Sequence, residues 1–171
     1  MISKYLNAEE YDLYYKTYTD KSSDINILKG LQHNLKEVID FFSKIPKSKH
    51  DFAYESGKWT IKQVLLHIID TERIFSYRAL RIARSDKTPL AGFNQDEYAN
   101  TYDIKERSMK SLINEYELVR KTTIALYESF TKADLIKIGT ASGSNISVRA
   151  IGYILTGHEN HHILVIKSRY F

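Results

Sequence analysis

Apolar residues recur along this chain at intervals of three and four, the period of a helix that buries one face. Leu28, Leu31, Leu35, Val38, Phe42 and Ile45 form one such stripe. They predict a first helix over Asp24–Ile45, with Asp24 as its N-cap and Pro46 as its stop. Thr60 opens a second helix that runs to Ala83, and Gln63, three residues on, completes a capping box. The first half of that helix (Ile61, Val64, Leu65, Leu66, Ile68, Ile69) is apolar nearly all round, which predicts deep burial. A third helix, over Ile104–Phe130, carries Met109, Leu112, Tyr116, Val119, Thr123, Leu126 and Phe130 on one face. Ser147 caps a fourth, from Val148 to Tyr170. Its inward stripe reads Val148, Ile151, Leu155, His158, His162, Val165.

The stretches between these patterns set the architecture. The two prolines, Pro46 and Pro89, both fall between helical segments, and no segment alternates as a strand does. An all-α chain follows, folded as an up-down-up-down four-helix bundle. Arg84–Asp103 forms a long connector between helices two and three, with a short helical turn at Gln95–Thr101. Connectors of that length are uncommon inside compact domains and often serve function. Gly139–Asn145 reads as a turn. Residues 1–23 are polar and rich in tyrosine, and read as an N-terminal extension packed on the outside of the bundle, with a short helix over Glu9–Thr17. At 171 residues the whole chain, 1–171, is expected to be a single domain.

Composition narrows the chemistry. The absence of cysteine removes disulfides, zinc–thiolate sites and iron–sulfur clusters, and leaves histidine and carboxylate as metal ligands. The net charge of +4 arises from 25 basic residues scattered among 21 acidic ones, not from a basic stripe. The local clusters Lys44/Lys47/Lys49 and Arg73/Arg78/Arg81/Arg84 read as solvated faces, so no nucleic-acid partner is expected. The first twenty residues hold no apolar leader, and no run approaches the roughly 18 apolar residues of a membrane span. A cytoplasmic protein without a membrane partner is the expectation. Thirteen tyrosines against seven phenylalanines suit half-wet positions at the edge of a core or along a cleft.

Three of the six histidines fall within residues 158–162. At about 100° per residue, His158 and His162 point the same way, into positions where a core would take leucine. They are either core histidines satisfied by hydrogen bonds or a metal-ligand pair. His67, in the most buried part of helix two, favours metal: three adjacent unpaired core histidines would be costly, whereas one ion satisfies them all. Three histidines would leave coordination positions open, the layout of a catalytic rather than a structural site. His161 turns aside and reads as flanking, and Glu159 as a surface residue or an orienter of a neighbouring group. His33 and His50 have no partners in sequence.

Two motifs match here and fail on context. His158-Glu159-x-x-His162 has the form of a zincin protease site, but no Asp, Glu or His follows His162 as a third ligand. Glu159-x-x-His162 is half of a di-iron bundle site whose second half is missing. No nucleophile elbow supports serine catalysis. Thr71, Ile74 and Arg78 share the side of helix two that carries His67. Thr71 could touch a metal-bound ligand and Arg78 an anionic substrate group, although a solvated charge or an ion pair is the plainer reading of Arg78. Asp70 and Glu72 lie off that face and read as structural.

Lys58-Trp59-Thr60-Ile61-Lys62-Gln63-Val64-Leu65-Leu66-His67-Ile68-Ile69-Asp70-Thr71-Glu72 resembles the second helix of the DinB-like (DinB/YfiT-like) superfamily of metal-binding four-helix bundles. Gly157-His158-Glu159-Asn160-His161-His162 resembles that family's last-helix motif. Asp86–Asp96 is similar to the segment after its second helix, with Asn94 where aspartate is more usual. The resemblance covers essentially the whole chain. It implies that His67, His158 and His162 hold a divalent metal, commonly zinc or nickel, with iron or manganese as further candidates. It also implies a frequent homodimer. Its better understood relatives include S-transferases that join low-molecular-weight thiols such as bacillithiol to electrophiles, and thiol-dependent isomerases. The expectation is therefore a metal-dependent thiol S-transferase or related thiol-dependent catalyst, with a small thiol and an electrophile as partners. The alternative is a non-catalytic metal-binding bundle serving stress response or interaction.

Overall fold

The computed structural model describes residues 2–171. Four long helices carry the fold: α1 (Ile27–Ser43), α2 (Ile61–Ala83), α3 (Met109–Glu128) and α4 (Val148–Arg169). Each starts at a side chain that accepts a hydrogen bond from an otherwise unpaired N–H of the first turn: Asn26, Thr60, Ser108 and Ser147. The capping box at Thr60 and Gln63 is formed. Helix α1 starts three residues later than its stripe predicts because Asn26, not Asp24, provides the cap. Asp24 instead accepts from the Asn26 N–H at 2.7 Å, a turn just ahead of the helix. Helix α3 likewise begins at Met109, after the Ser108 cap.

The all-α, four-helix class is the expected one. Strict up-down-up-down alternation is where the chain departs from expectation. The Lys62 ammonium at the start of α2 donates to the carbonyls of Lys105 and Arg107, just before α3. At the far end, Lys137 donates to the Ala83 carbonyl, at the end of α2. Helices α2 and α3 therefore run parallel, and the connector between them returns along the bundle. Helices α1 and α4 point the other way: Ile27 packs beside Gly152, and Lys49, just beyond α1, donates to the Tyr170 carbonyl. Around the bundle α1 packs on α3 and α4, and α2 packs on α3 and α4. The core divides into one apolar cluster at each end: Phe42, Leu65, Leu112 and Ile166 in one, Leu31, Ala79, Tyr127 and Ile151 in the other.

Between the clusters sits a charged centre. Arg120 of α3 is fully buried and donates to Glu72 of α2 (2.7 and 3.0 Å), Glu159 of α4 (2.6 Å) and the Leu31 carbonyl of α1 (3.3 Å). One guanidinium thus touches all four helices. Asn34 completes the network by donating to Glu159 at 2.8 Å. Glu159 is consequently not a surface residue. Two carboxylates facing one guanidinium are tolerable only because their oxygens find donors within the fold.

The predicted turn at 139–145 is a small antiparallel hairpin, β1 (Ile138–Ala141) and β2 (Ser144–Ser147). Its two corner residues, Ser142 and Gly143, both have positive φ (52° and 81°), as a tight two-residue hairpin demands. Leu90 of the long connector exchanges hydrogen bonds with Thr140 and Ser142, which pins the connector to the hairpin. The connector's short helix forms at Gln95–Thr101 as predicted, and Gln63 of α2 donates to its Ala99 carbonyl.

The N-terminal extension differs from expectation. In place of a helix over Glu9–Thr17 it makes tight turns at Ile2–Tyr5, Ala8–Glu10 and Leu13–Tyr15, then a single helical turn, Lys16–Thr19. It forms a strap along α4. Buried Glu10 accepts from Ser147 and Arg149 at one end. At the other end the Ser22 and Thr156 hydroxyls pair at 2.8 Å, and Asn160 donates to the Lys21 carbonyl at 2.7 Å. The strap lies so close that a Cβ on Gly157 would stand 1.7 Å from the Tyr18 carbonyl oxygen. Among the described residues, no helix is long and apolar enough to cross a membrane.

Candidate metal centre and its cleft

His67 projects from the second turn of α2, and His158 and His162 from successive turns of α4, the antiparallel neighbour of α2. Their Nε2 atoms converge. That of His158 lies 2.9 Å from His67 and 3.0 Å from His162, and one ligand atom from each of the three falls within 4.8 Å of the others. A neutral imidazole offers one N–H and one lone pair, so three such edges facing one another cannot all be satisfied by mutual hydrogen bonds. A shared cation satisfies all three. Around a tetrahedral ion with bonds of about 2.0–2.1 Å, donors stand about 3.3 Å apart. The two pairs made by His158 need only open slightly, and the wider His67–His162 pair, within 4.8 Å, closes by a rotation of the rings. The donor set therefore fits a divalent metal ion.

Burial prepares these rings for that task. It pushes His67 down to about 4. It also holds His158 and His162 well below the usual histidine range, with the neighbouring imidazoles adding to the effect. All three are neutral at pH 7, with lone pairs free to ligate. On its far edge, His67 Nδ1 faces the Thr71 hydroxyl at 3.5 Å, the outer limit of a hydrogen bond. Trp59, the single tryptophan, flanks the cluster with its ring 4.7 Å from His67. Tyr18 of the strap covers the opposite side, edge-on to His158 (5.3 Å) and His161 (5.4 Å). His161 is thus a half-buried neighbour of the cluster, packed under the strap. His33 and His50 stand apart from it, and His50 pairs with the Ile45 carbonyl.

The cluster opens into a cleft of about 670 Å³. Its floor includes His67 and His158, and its walls come from α2 (Thr71, Phe75, Arg78), the strap (Tyr14, Tyr15, Tyr18) and the connector. Among the described residues no carboxylate lines it. Thr71 and Arg78 thus share the cleft with His67, as helical spacing predicts. Arg78 is not the solvated charge of the plainer reading: it is 2% exposed, and Nη2 donates to the Ala91 carbonyl (2.7 Å) and the Ser142 hydroxyl (2.9 Å). Sequence reasoning missed the strap and hairpin contributions. The run of tyrosines at positions 11–18 was the available signal, but nothing local showed which face of the bundle they cover.

Known proteins give this geometry a context. A proposed metal-dependent hydrolase of Bacillus licheniformis is 25% identical over 169 residues, 97% of this chain and 89% of its own. Another of the same description, from Bacillus mycoides, is 28% identical over 160 residues, 91% of this chain and 89% of its own. Among solved structures, Bacillus subtilis YfiT, described as a probable metal-dependent hydrolase with an unusual four-helix bundle topology, superposes with a TM-score of 0.69. The match covers 96% of this chain and 90% of YfiT at 17% identity, and so speaks to the fold. Residues 31–166, which span all three clustered histidines, match the DinB superfamily, and the chain belongs to that family.

Proposed function

We propose that this protein is a divalent-metal-dependent enzyme that activates a low-molecular-weight thiol of the bacillithiol type for transfer to an electrophile. One observation carries the reading: three neutral imidazoles converge, and two of them, His67 and His158, line a cleft with no carboxylate among the described residues. A divalent ion held there would lower the pKa of a bound thiol, so that it reacts as thiolate without a protein base. In the transfer, the sulfur forms a bond to the electrophilic carbon, that carbon releases its leaving group, and the thiol proton passes to solvent. The chain's own residues set the stage. Burial keeps His67, His158 and His162 unprotonated, Trp59 and Tyr18 shield them from bulk water, and the aromatic walls at Tyr15 and Phe75 receive the apolar part of a substrate.

A second reading, metal-dependent hydrolysis, is favoured by the descriptions of the relatives. The same preparation separates the two. Untagged protein should hold one divalent ion per chain by elemental analysis, and loading with nickel or cobalt should quench Trp59 fluorescence. His67→Ala should lose both signals; unchanged metal content in this variant refutes the site. With the metal-loaded protein, a small thiol should be consumed faster by a model electrophile. If thiol consumption is not accelerated while ester or amide substrates are cleaved without thiol, the transferase reading gives way to hydrolysis.

A further inference from the structure

The fold neutralises one buried arginine and leaves another without an acid. Arg120 sits between two glutamates. Arg78, 2% exposed, has only neutral partners: the Ala91 carbonyl, the Ser142 hydroxyl and the Tyr15 hydroxyl, with the faces of Phe75 and Phe93 at 5.0 and 6.0 Å. Among the described residues it forms no ion pair. A guanidinium removed from water without a counter-charge is costly, and in practice such a group is paired. Burial accordingly lowers its pKa. Nη2 spends both of its hydrogens on protein partners, but a guanidinium has five N–H donors. Arg78 also lines the cleft that holds His67 and His158.

We infer that Arg78 is the anion-binding end of the substrate cleft, built to receive a carboxylate carried on a flat apolar body. The partners pinning Nη2 come from the connector and from the hairpin corner, so the guanidinium is fixed before any ligand arrives. Phe75, Phe93 and Tyr15 provide flat walls beside it. The eleven residues from His67 to Arg78 span roughly 16 Å along α2, and the side chain of Arg78 leans back toward the N-terminus of the helix. A ligand reaching both ends is therefore elongated, with its anion at Arg78 and its reacting end at the histidines. This assignment rests on the cleft being the substrate site of the proposed enzyme, but the anion site itself needs no metal.

Benzoate is the probe, with benzamide as its neutral isostere and inorganic phosphate as the rival anion, each titrated by calorimetry into protein stripped of metal with a chelator. Benzoate should bind in the millimolar range or tighter, and benzamide at least tenfold more weakly. Phosphate binding that matches benzoate would overturn the carboxylate assignment. Arg78→Met should weaken benzoate at least tenfold. Because Arg78 also braces the connector, the wild-type protein gives a parallel reading: the Nε–H NMR signal of Arg78 should shift with benzoate and stay put with benzamide. Benzoate binding only to metal-loaded protein, or equally to Arg78→Met, places the anion on the metal and refutes the inference. Failure of thiol transfer alone leaves these titrations unchanged, so the two ideas fall separately.

Discussion

Gly157→Ala is a substitution for which local and tertiary effects have opposite signs. In the interior of a helix, alanine is favoured over glycine by about 1 kcal/mol. On that ground alone the variant would be more stable. The strap reverses the sign. The new Cβ would stand 1.7 Å from the Tyr18 carbonyl oxygen, and an ordinary C···O contact needs about 3.3 Å, so the strap must move by roughly 1.6 Å. That oxygen belongs to backbone and cannot swing aside as a side chain would. Overpacking costs about 1–3 kcal/mol, a clash this deep with backbone belongs at the upper end, about 2–3 kcal/mol, and subtracting the helical gain leaves a net loss of about 1–2 kcal/mol. In a domain of this size each kcal/mol lowers Tm by about 2–4 °C. Urea denaturation gives the stability change, and hydrogen exchange at residues 16–22 shows whether the strap has lifted. Lifting would also uncover His158, which Tyr18 now covers. A variant stabilised by about 1 kcal/mol, with strap amides as protected as in the wild type, would refute the close approach.

Arg120→Met should cost about 3–5 kcal/mol in chemical denaturation, because it leaves Glu72 and Glu159 buried without their cation. A change within 1 kcal/mol would show that the two carboxylates are neutral or solvated. Acid should destabilise the metal-free protein through its buried histidines. Folding lowers His67 to about 4 from an unfolded value near 6.5, so the unfolded chain binds more protons between those pH values. Its contribution is therefore fully present above about pH 6.5 and is lost as pH falls toward 4, by up to about 3 kcal/mol. His67→Phe should flatten part of that slope in pH-dependent unfolding curves; a slope unchanged by the substitution would locate the loss elsewhere.

The helices were legible because their signals are local. Thr60 with Gln63, Ser147 before Val148, and the apolar run from Ile61 to Ile69 each fix an element within a few residues. The histidine set was legible because i, i+4 spacing on α4 and burial of His67 on α2 both point inward. What the sequence hid is relational. Glu159 reads as a surface residue or an orienter of a neighbouring group when taken one helix at a time, since its partners Arg120 and Asn34 lie 39 and 125 residues away. Arg78 reads as a solvated charge or an ion pair because its actual partners come from the connector and the hairpin corner. The direction of α3 was hidden for the same reason. A connector of some twenty residues can either turn back at once or run the length of the bundle, and only packing decides.

That direction has a consequence for how the chain folds. Helices consecutive in sequence, α1 with α2 and α3 with α4, are not the packed neighbours, and α2 meets α3 only after the connector has doubled back. No pair joined by a short loop can collapse as a helical hairpin and wait for the rest. Every helix–helix interface closes a long loop, so little burial is gained until several loop-closure costs have been met together. For a helical protein this raises contact order, and with it the expectation of slow, all-or-none folding without a stable half. The same wiring places His67 and His158 91 residues apart in sequence, so the metal site can form only once α4 has docked on α2.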